Sequence, residues 1–371
     1  MNWTLVASQR ELEAVLPGLS GAGALAVDTE FMRRNTFFPQ IALLQLSAGE
    51  HALLIDPLNI DDTGPIRELF ADRAIVKVLH SASEDLEVFD RWLQTAPQPL
   101  FDTQRAAGFL DRGFGLGYRA MVEAHCGVHL DKGETRSDWL QRPLSSSQCD
   151  YAALDVAYLL PIYREMRAAV EAENKLDWVF EDGLSAIDSA GSASDAYYLR
   201  IKSAWKLSAR QLAVLRSVCE WREAAAVARD RPRSWIVSDD ACLAIARIGA
   251  LDVDRLAGTV DLPSGVLRRD GEKLVDRVAE AHALPESDLP APLPAPLGAQ
   301  ERQQLKALKQ RGRGLAASLG AAPESLLPSK DYEKLLREAG GEPVDSPSHW
   351  RGWRQSVVIE PLKQFLAEQS T

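Results

Sequence analysis

Four short apolar runs near the start of the chain restrict its fold more than any other feature of the sequence. Each has the length and composition of a β-strand, and they are ALAVDTE (24–30), QIALLQLS (40–47), HALLIDP (51–57) and IVKVLH (75–80). The short segment between the second and third runs contains glycine and predicts a hairpin. From Ser83 onward apolar residues recur at helical spacing, so the sequence predicts a mixed β-sheet covered by helices.

The second half of the chain contains only helical patterns. A stretch rich in serine, alanine and glycine precedes them, and the proline-dense stretch LPESDLPAPLPAPLG interrupts them, so both predict linkers. The predicted organisation is an α/β domain (1–180), a linker (181–204), a helical bundle (205–283), a proline-rich linker (284–298) and a second helical bundle (299–371).

Charge is distributed unevenly along the chain, although the formal net charge is −11. Residues 1–196 carry 16 Lys and Arg against 30 Asp and Glu, whereas residues 197–280 carry 15 against 12. An acidic front half suits a site that binds cations, and a mildly basic segment can approach a polyanion. The distribution is therefore compatible with an enzyme of nucleic acids despite the negative total.

The sequence also indicates a compartment. Its start lacks the basic cluster and apolar run of a secretory signal, and no stretch reaches the length of a membrane span. The four cysteines are too poorly spaced for a disulfide framework or a zinc cage. We therefore expect a cytoplasmic protein with free thiols.

Carboxylates occur at positions where they can share a site. Asp28 and Glu30 are two residues apart at the end of a strand, so both point to one face. Tyr151 and Asp155 are four apart on a largely apolar helix and share a face of it. Asp85 begins the helix after the fourth strand, where the helix dipole alone would also favour a carboxylate.

Gathering these acids has an electrostatic cost. Two like charges about 4 Å apart repel by roughly 4 kcal/mol at an effective dielectric of 20. Clustered carboxylates must therefore be protonated, paired with basic groups or bound to cations, and hard divalent cations prefer oxygen ligands. Taken one at a time, each acid could equally be a solvated surface group.

Three separated segments that contain these residues, AVDTEF, HSASEDLEVF and YAALDVAYLL, resemble the exonuclease motifs of the DEDD superfamily of 3′→5′ exonucleases, in the subclass with tyrosine in the third motif. Within it, the longer strings DTEFMRRNTFFPQIALLQLS and LDKGETRSDWLQRPLSSSQCDYAALDVAYLLPIY resemble ribonuclease D. The resemblance covers residues 20–170 and implies a ribonuclease H-like fold.

The resemblance implies a role for each motif residue. Two Mg²⁺ or Mn²⁺ ions per active site, roughly 3.5 to 4 Å apart, would be held by Asp28, Glu30, Asp85 and Asp155. Tyr151 would orient the attacking water rather than remove its proton, because its reference pKa is about 10. The expected reaction is hydrolysis of RNA from a free 3′ end with release of nucleoside 5′-monophosphates. Precursors of tRNA or other small structured RNAs are the expected substrates.

The helical half carries a second resemblance. Residues 205–283, with RQLAVLRSVCEWREAAA and SGVLRRDGEKLVDRVAEA, resemble an HRDC domain, and residues 299–371 resemble a divergent second copy. The implied role is RNA binding, for which Arg268 and Arg269 are candidates, although an adjacent arginine pair is more often a solvated face. Further candidates for contact with the substrate or the metal site are Gln45, His80 and Lys132.

Other readings of the sequence remain open at this point. A DNA-directed exonuclease would use the same chemistry, and a catalytically inactive RNA-binding adaptor could have the same exonuclease-like fold. A helicase is disfavoured, because the sequence has no phosphate-binding loop of the GxxxxGK[ST] kind and hence no expected nucleotide cofactor. His125, Cys126 and His129 suggest zinc, but a fourth ligand at the usual spacing is missing from the sequence, so a packed helix end is favoured.

Overall fold

The computed structural model describes residues 1–131, 133–134, 136–191, 196–249 and 252–369. The chain forms two compact units, each built from separate segments. The first, here called the sheet unit, comprises Met1–Met32, Gln40–Ser192 and Gly298–Thr371. The second, here called the helical unit, comprises Arg33–Pro39 and Ala193–Leu297.

The sheet is mixed, as predicted, and within the described residues it has six strands. In chain order they are β1 (Asn2–Val6), β2 (Ala24–Met32), β3 (Gln40–Ser47), β4 (His51–Ile55), β5 (Val76–Leu79) and β6 (Leu100–Asp102), and their spatial order is β1-β4-β3-β2-β5-β6. β3 pairs antiparallel with β2 and β4, so the predicted hairpin is present. The remaining neighbours pair in parallel. The edge strands β1 and β6 were not among the four predicted runs.

Helices account for most of the rest of the described chain. Those before the helical unit are α1 (Gln9–Val15), α2 (Gly64–Ala71), α3 (Ser83–Leu93), α4 (Thr103–Phe109), α5 (Tyr118–Cys126), α6 (Ser146–Ala157), α7 (Leu159–Ala172) and α8 (Leu176–Gly191). The helical unit contains α9 (Ala209–Arg229), α10 (Arg233–Ile236), α11 (Asp239–Ile248), α12 (Val253–Thr259) and α13 (Ser264–Ala283). The sheet unit resumes with α14 (Ala299–Leu319), α15 (Pro323–Leu326), α16 (Ser329–Ala339) and α17 (Glu360–Gln369). Within the described ranges, none of these helices is long and apolar enough to cross a lipid bilayer.

Alternation along β2 divides the sheet into two faces. Val27 packs in one apolar cluster with Leu86 and Phe89 of α3. Asp28 and Glu30 alternate along the strand with Val27 and Thr29. Their side chains therefore project from the opposite face of the sheet, against which α6 packs. The strand therefore offers its carboxylates to α6 and its apolar side chains to α3.

The linker predicted from residue 181 is wrong for residues 181–191, because α8 continues to Gly191. The small residues that suggested a loop instead allow close packing. A Cβ atom at Gly183 would lie 2.7 Å from the carbonyl oxygen of Leu100 in β6, so only glycine permits this approach. Ala186 and Ala190 pack against the apolar cluster beneath the sheet.

The described residues 299–369 are mainly helical, as expected, but they belong to the sheet unit rather than to a compact unit of their own. The indole of Trp353 stacks on that of Trp178 in α8, with ring centres 4.2 Å apart. The guanidinium of Arg354 pairs with the carboxylate of Asp182, which also accepts from Arg105 Nε at 2.6 Å. Aromatic stacking and a largely buried ion pair thus fix this segment to α4 and α8, two features that a helical sequence pattern does not reveal.

Candidate active site

The second half of β2 has a strand neighbour on one side only. β5 pairs with β2 only from Ala24 to Ala26, whereas β3 accompanies β2 as far as Met32. The first turn of α3 lies beside the part of β2 that has no β5 neighbour. There the Thr29 hydroxyl donates a hydrogen bond to the carboxylate of Asp85. The end of β5 therefore leaves room for a helix-borne carboxylate next to β2.

α6 brings the third motif to the same place. A capping box fixes its first turn: Ser145 Oγ accepts from the backbone N–H of Gln148 at 3.1 Å, and Gln148 Oε1 accepts from that of Ser145 at 3.0 Å. The buried face of α6 carries small residues, Cys149, Ala152 and Ala153, which allow close approach to the sheet. Asp155 on this helix consequently reaches the carboxylates of β2.

Three of the four predicted carboxylates come together. One oxygen from each of Asp28, Glu30 and Asp155 lies within 4.8 Å of the others. Among the described residues, this is the one cluster of His, Cys, Asp and Glu side chains with spacing that could hold a metal ion. Asp85 is outside this group, but its charge helps to raise the pKa of Asp28, so it borders the cluster.

The carboxyl groups have strongly raised pKa values. Burial, followed by repulsion from Asp155 and Asp85, raises the pKa of Glu30 to about 9. Burial and the same kind of repulsion raise the pKa of Asp28 well above its usual range. Burial also raises the pKa values of Asp85 and Asp155 to about 7, against hydrogen bonds from Thr29 and Tyr151 that favour the charged forms. Without cations, the cluster cannot carry its full negative charge at neutral pH.

Tyr151 lies one turn before Asp155 and hydrogen-bonds to it. Its ring is confined on one side by Gly133, where a Cβ atom would lie closer than 3.0 Å to Tyr151 Cδ2. Trp139 contacts it on another side, with ring centres 6.0 Å apart. Burial and the neighbouring carboxylates raise the pKa of the phenol further, so Tyr151 stays protonated and acts as a hydrogen-bond donor.

Two supporting residues were not predicted from the sequence. The Tyr118 hydroxyl donates to the carbonyl oxygen of Leu154 at 2.9 Å and accepts from the backbone N–H of Tyr158 at 3.2 Å, so it fixes the turn that carries Asp155. The adjacent Arg119 lowers the pKa of Asp155 through its charge. Neither residue stands at a motif spacing, so neither could be predicted from the sequence pattern.

The three candidates for substrate or metal contact outside the motifs, Gln45, His80 and Lys132, differ in their surroundings. Gln45 is directly opposite Asp28 in the β2–β3 register and is fully buried, and neither atom of its amide has a partner within the described protein. Both ring nitrogens of His80 make hydrogen bonds within the protein, one with Thr103 Oγ1 at 2.9 Å and the other with the carbonyl oxygen of Leu116 at 2.9 Å. His80 therefore has a structural role. Lys132 is outside the described residues.

The remaining candidates are two arginines of the helical unit and two histidines of the sheet unit. In the helical unit Arg268 is exposed, whereas Arg269 Nε is 3.2 Å from the carboxylate of Asp270. His125 pairs with Glu165 at 3.0 Å and His129 with Glu123 at 3.7 Å, which explains both without zinc. All four cysteines are free thiols, as expected.

Comparison with known proteins identifies the family of this chain. A family model described as a 3′-5′ exonuclease matches residues 4–171, and one described as an HRDC domain matches residues 211–278. Ribonuclease D of Pseudomonas paraeruginosa is 42% identical over 345 residues, which cover 92% of each chain. This chain belongs to the ribonuclease D family. Ribonuclease D of Escherichia coli is 35% identical over 99% of each chain.

Solved structures of ribonuclease D and a related nuclease share the fold. The crystal structure of Escherichia coli RNase D, described as an exoribonuclease involved in structured RNA processing, matches 99% of both chains with a TM-score of 0.92 and 34% identity. The catalytic core of RRP6 from Trypanosoma brucei matches 76% of this chain and 80% of its own, with a TM-score of 0.59 and 26% identity. These matches confirm the predicted fold class. It is an α/β exonuclease domain with a mixed sheet, followed by a helical HRDC domain.

Proposed function

We propose that this ribonuclease D family member is a metal-dependent exoribonuclease that removes nucleotides from the 3′ end of RNA. The observation that carries the proposal is the convergence of Asp28, Glu30 and Asp155, whose oxygens approach within 4.8 Å, with Asp85 beside them. Family membership supplies the direction of hydrolysis and the RNA substrate. The basic character of residues 197–280 suits a polyanionic ligand.

The residues present fit divalent metal ions. All four side chains offer hard oxygen ligands, and burial and mutual repulsion raise the pKa values of Asp28 and Glu30, a cost that bound cations would offset. The buried amide of Gln45, opposite Asp28, adds a donor and an acceptor that have no hydrogen-bond partner among the described residues. We propose two ions, Mg²⁺ or Mn²⁺, held by Asp28, Glu30, Asp85 and Asp155. Such ions polarise a phosphate and lower the pKa of water.

Tyr151 would position the attacking water for the scissile phosphate. Its proton is retained at neutral pH, and the hydrogen bond with Asp155 together with Gly133 and Trp139 fixes its orientation. The water oxygen bonds to phosphorus and gives up a proton to solvent, the bond to the preceding 3′ oxygen breaks, and that oxygen takes up a proton from solvent and leaves as a hydroxyl. Each turnover would release a nucleoside 5′-monophosphate.

The finer assignments are also proposals. We propose tRNA precursors or other small structured RNAs with a free 3′ end as substrates, because the Escherichia coli relative acts in structured RNA processing. A cytoplasmic location is supported by four cysteines that form no disulfide. The second HRDC-like assignment, residues 299–371, is supported by its helices α14 to α17.

The test compares two isosteric substitutions on separate carboxylates. Asp155→Asn should abolish release of 5′-monophosphates from an RNA with a free 3′ hydroxyl, because it removes a ligand. Asp90→Asn, an exposed aspartate on α3, should leave the rate unchanged. EDTA should stop the reaction, and Mg²⁺ or Mn²⁺ should restore it. A 3′-phosphorylated RNA and a matched single-stranded DNA complete the assay. Faster hydrolysis of the DNA, or full activity of Asp155→Asn, would refute the proposal.

A further inference from the structure

The helical unit contains a groove of about 600 Å³ whose walls combine arginine and aromatic side chains. We call it the arginine–tryptophan groove and define it by Arg33, Arg34, Phe37, Tyr197, Arg233 and Trp235. Its volume is within the range of roughly 300 to 1,000 Å³ typical of sites for small organic groups.

Hydrogen bonds to the end of α9 hold the segment Arg33–Pro39 in place. Asp230 ends α9 in the left-handed conformation, at a φ of 44°, and its carboxylate accepts the backbone N–H groups of Phe37 at 2.9 Å and Phe38 at 3.1 Å. Arg231 donates to the carbonyl oxygen of Asn35 at 3.2 Å. These contacts make one wall of the groove part of the helical unit.

Arg233 holds the two aromatic walls together. Its guanidinium carbon lies 4.6 Å from the ring centre of Phe37 and 4.9 Å from that of Tyr197. Its Nε is 2.5 Å from the carboxylate of Glu223. This arginine therefore shapes the groove by holding Phe37 and Tyr197 on either side of its guanidinium.

The exposed rim has the chemistry of a single-stranded nucleic-acid site. Trp235 is 53% exposed, an unusual position for so large an apolar side chain. Arg33 and Arg34, also exposed, line the same groove. Bases stack on aromatic rings while arginine side chains contact the flanking phosphates, and such stacking commonly changes affinity by about 5- to 150-fold per base.

We infer that the arginine–tryptophan groove binds single-stranded RNA, with Trp235 stacking on a base and Arg33 and Arg34 contacting the adjacent phosphates. The inference rests on the proposed function for the choice of RNA as ligand. A single exposed indole in a groove lined by three arginines and one acidic residue, Asp239, suits a base with its phosphates better than it suits an apolar protein surface, which would require a wider apolar patch.

The test measures binding without cleavage. The full-length Asp155→Asn protein is titrated, in EDTA, into a fluorescein-labelled single-stranded RNA of eight nucleotides, and the dissociation constant is read from anisotropy. Trp235→Ala in this background should weaken binding at least fivefold, whereas Trp235→Phe, which keeps a stacking ring, should retain most of the affinity. Trp205→Ala is the matched control, since Trp205 is another exposed tryptophan of the helical unit, 38% exposed. Its affinity should change less than twofold.

The phosphate contacts have their own readout. Arg33→Gln with Arg34→Gln should weaken binding and should reduce the slope of log Kd against log salt by about 1.4, because each phosphate contact to a single strand contributes about 0.7 to that slope through counterion release. Equal affinity of Trp235→Ala and its parent, or an unchanged salt slope in the double arginine variant, would overturn the inference. Trp235-dependent binding of an acidic peptide of equal charge, tighter than that of RNA, would also overturn it.

A separate assay keeps this inference distinguishable from the proposed function. The unmodified protein is given the p-nitrophenyl ester of a nucleoside 5′-monophosphate, a substrate without neighbouring nucleotides. Release of nitrophenol that depends on Mn²⁺ supports the catalytic proposal alone. Loss of that activity alongside Trp235-dependent RNA binding would refute the catalytic proposal and support the groove.

Discussion

Glu30→Gln should remove a pH-dependent loss of stability from the metal-free protein. The pKa of Glu30 is raised from 4.5 to about 9 in the folded chain, chiefly by burial and then by Asp155 and Asp85. A carboxyl group with a raised folded pKa stabilises the fold when protonated, and this contribution is lost as the pH rises from the unfolded to the folded pKa. The loss is about 1.4 kcal/mol per pH unit in that window.

Between pH 6 and pH 8, Glu30 alone should therefore lower the free energy of unfolding by roughly 3 kcal/mol. Glutamine has nearly the same shape and no charge, so the variant should lack this part of the decrease. The assay is urea-induced unfolding in EDTA at both pH values. Stability that falls equally in the two proteins would contradict the electrostatic description of the cluster. Adding Mn²⁺ should raise the stability of the unmodified protein more than that of the variant.

Three further substitutions, together with one control substitution, test the surroundings of the site and the fold. Gly133→Ala places a methyl group against the ring of Tyr151 and should lower kcat at least tenfold while Mn²⁺ affinity, measured by calorimetry, stays within twofold. Gln45→Leu replaces a buried amide that has no partner among the residues the structure describes, so it should weaken Mn²⁺ binding while leaving the metal-free protein as stable or more stable. Unaltered Mn²⁺ affinity would exclude this amide from the metal site. Gly183→Ala should destabilise the sheet unit by about 1 to 3 kcal/mol, because β6 leaves no room for a methyl group. Gly314→Ala is its control in an open helical position and should be neutral or stabilising by up to about 1 kcal/mol, so equal effects of these two changes would show that helix propensity rather than packing governs them.

The sequence was sufficient to predict the elements that carry the site. Asp28 and Glu30 alternate along a strand, and Tyr151 and Asp155 are one turn apart on a helix, so local periodicity alone predicts shared faces. Bringing the two pairs together needs the crossing of α6 over β2, and periodicity does not contain that information. The motif resemblance supplied it, and the cluster within 4.8 Å agrees with it.

Other features could not be predicted for identifiable physical reasons. Gly183 and its neighbours have the composition of a linker, yet their small size serves packing against β6. Trp353 and Arg354 show no periodic signal for their stacking and ion pair with α8, because those contacts join residues far apart in the chain. The fixing of Arg33–Pro39 by Asp230 is likewise a long-range contact.

The central claim is that the carboxylates of β2, α3 and α6 bind divalent ions. The most direct measurement is anomalous difference density from crystals soaked in Mn²⁺. We predict two peaks, roughly 3.5 to 4 Å apart, in contact with the carboxylates of Asp28, Glu30, Asp85 and Asp155. Strong peaks elsewhere, with none between Asp28, Glu30 and Asp155, would contradict the claim.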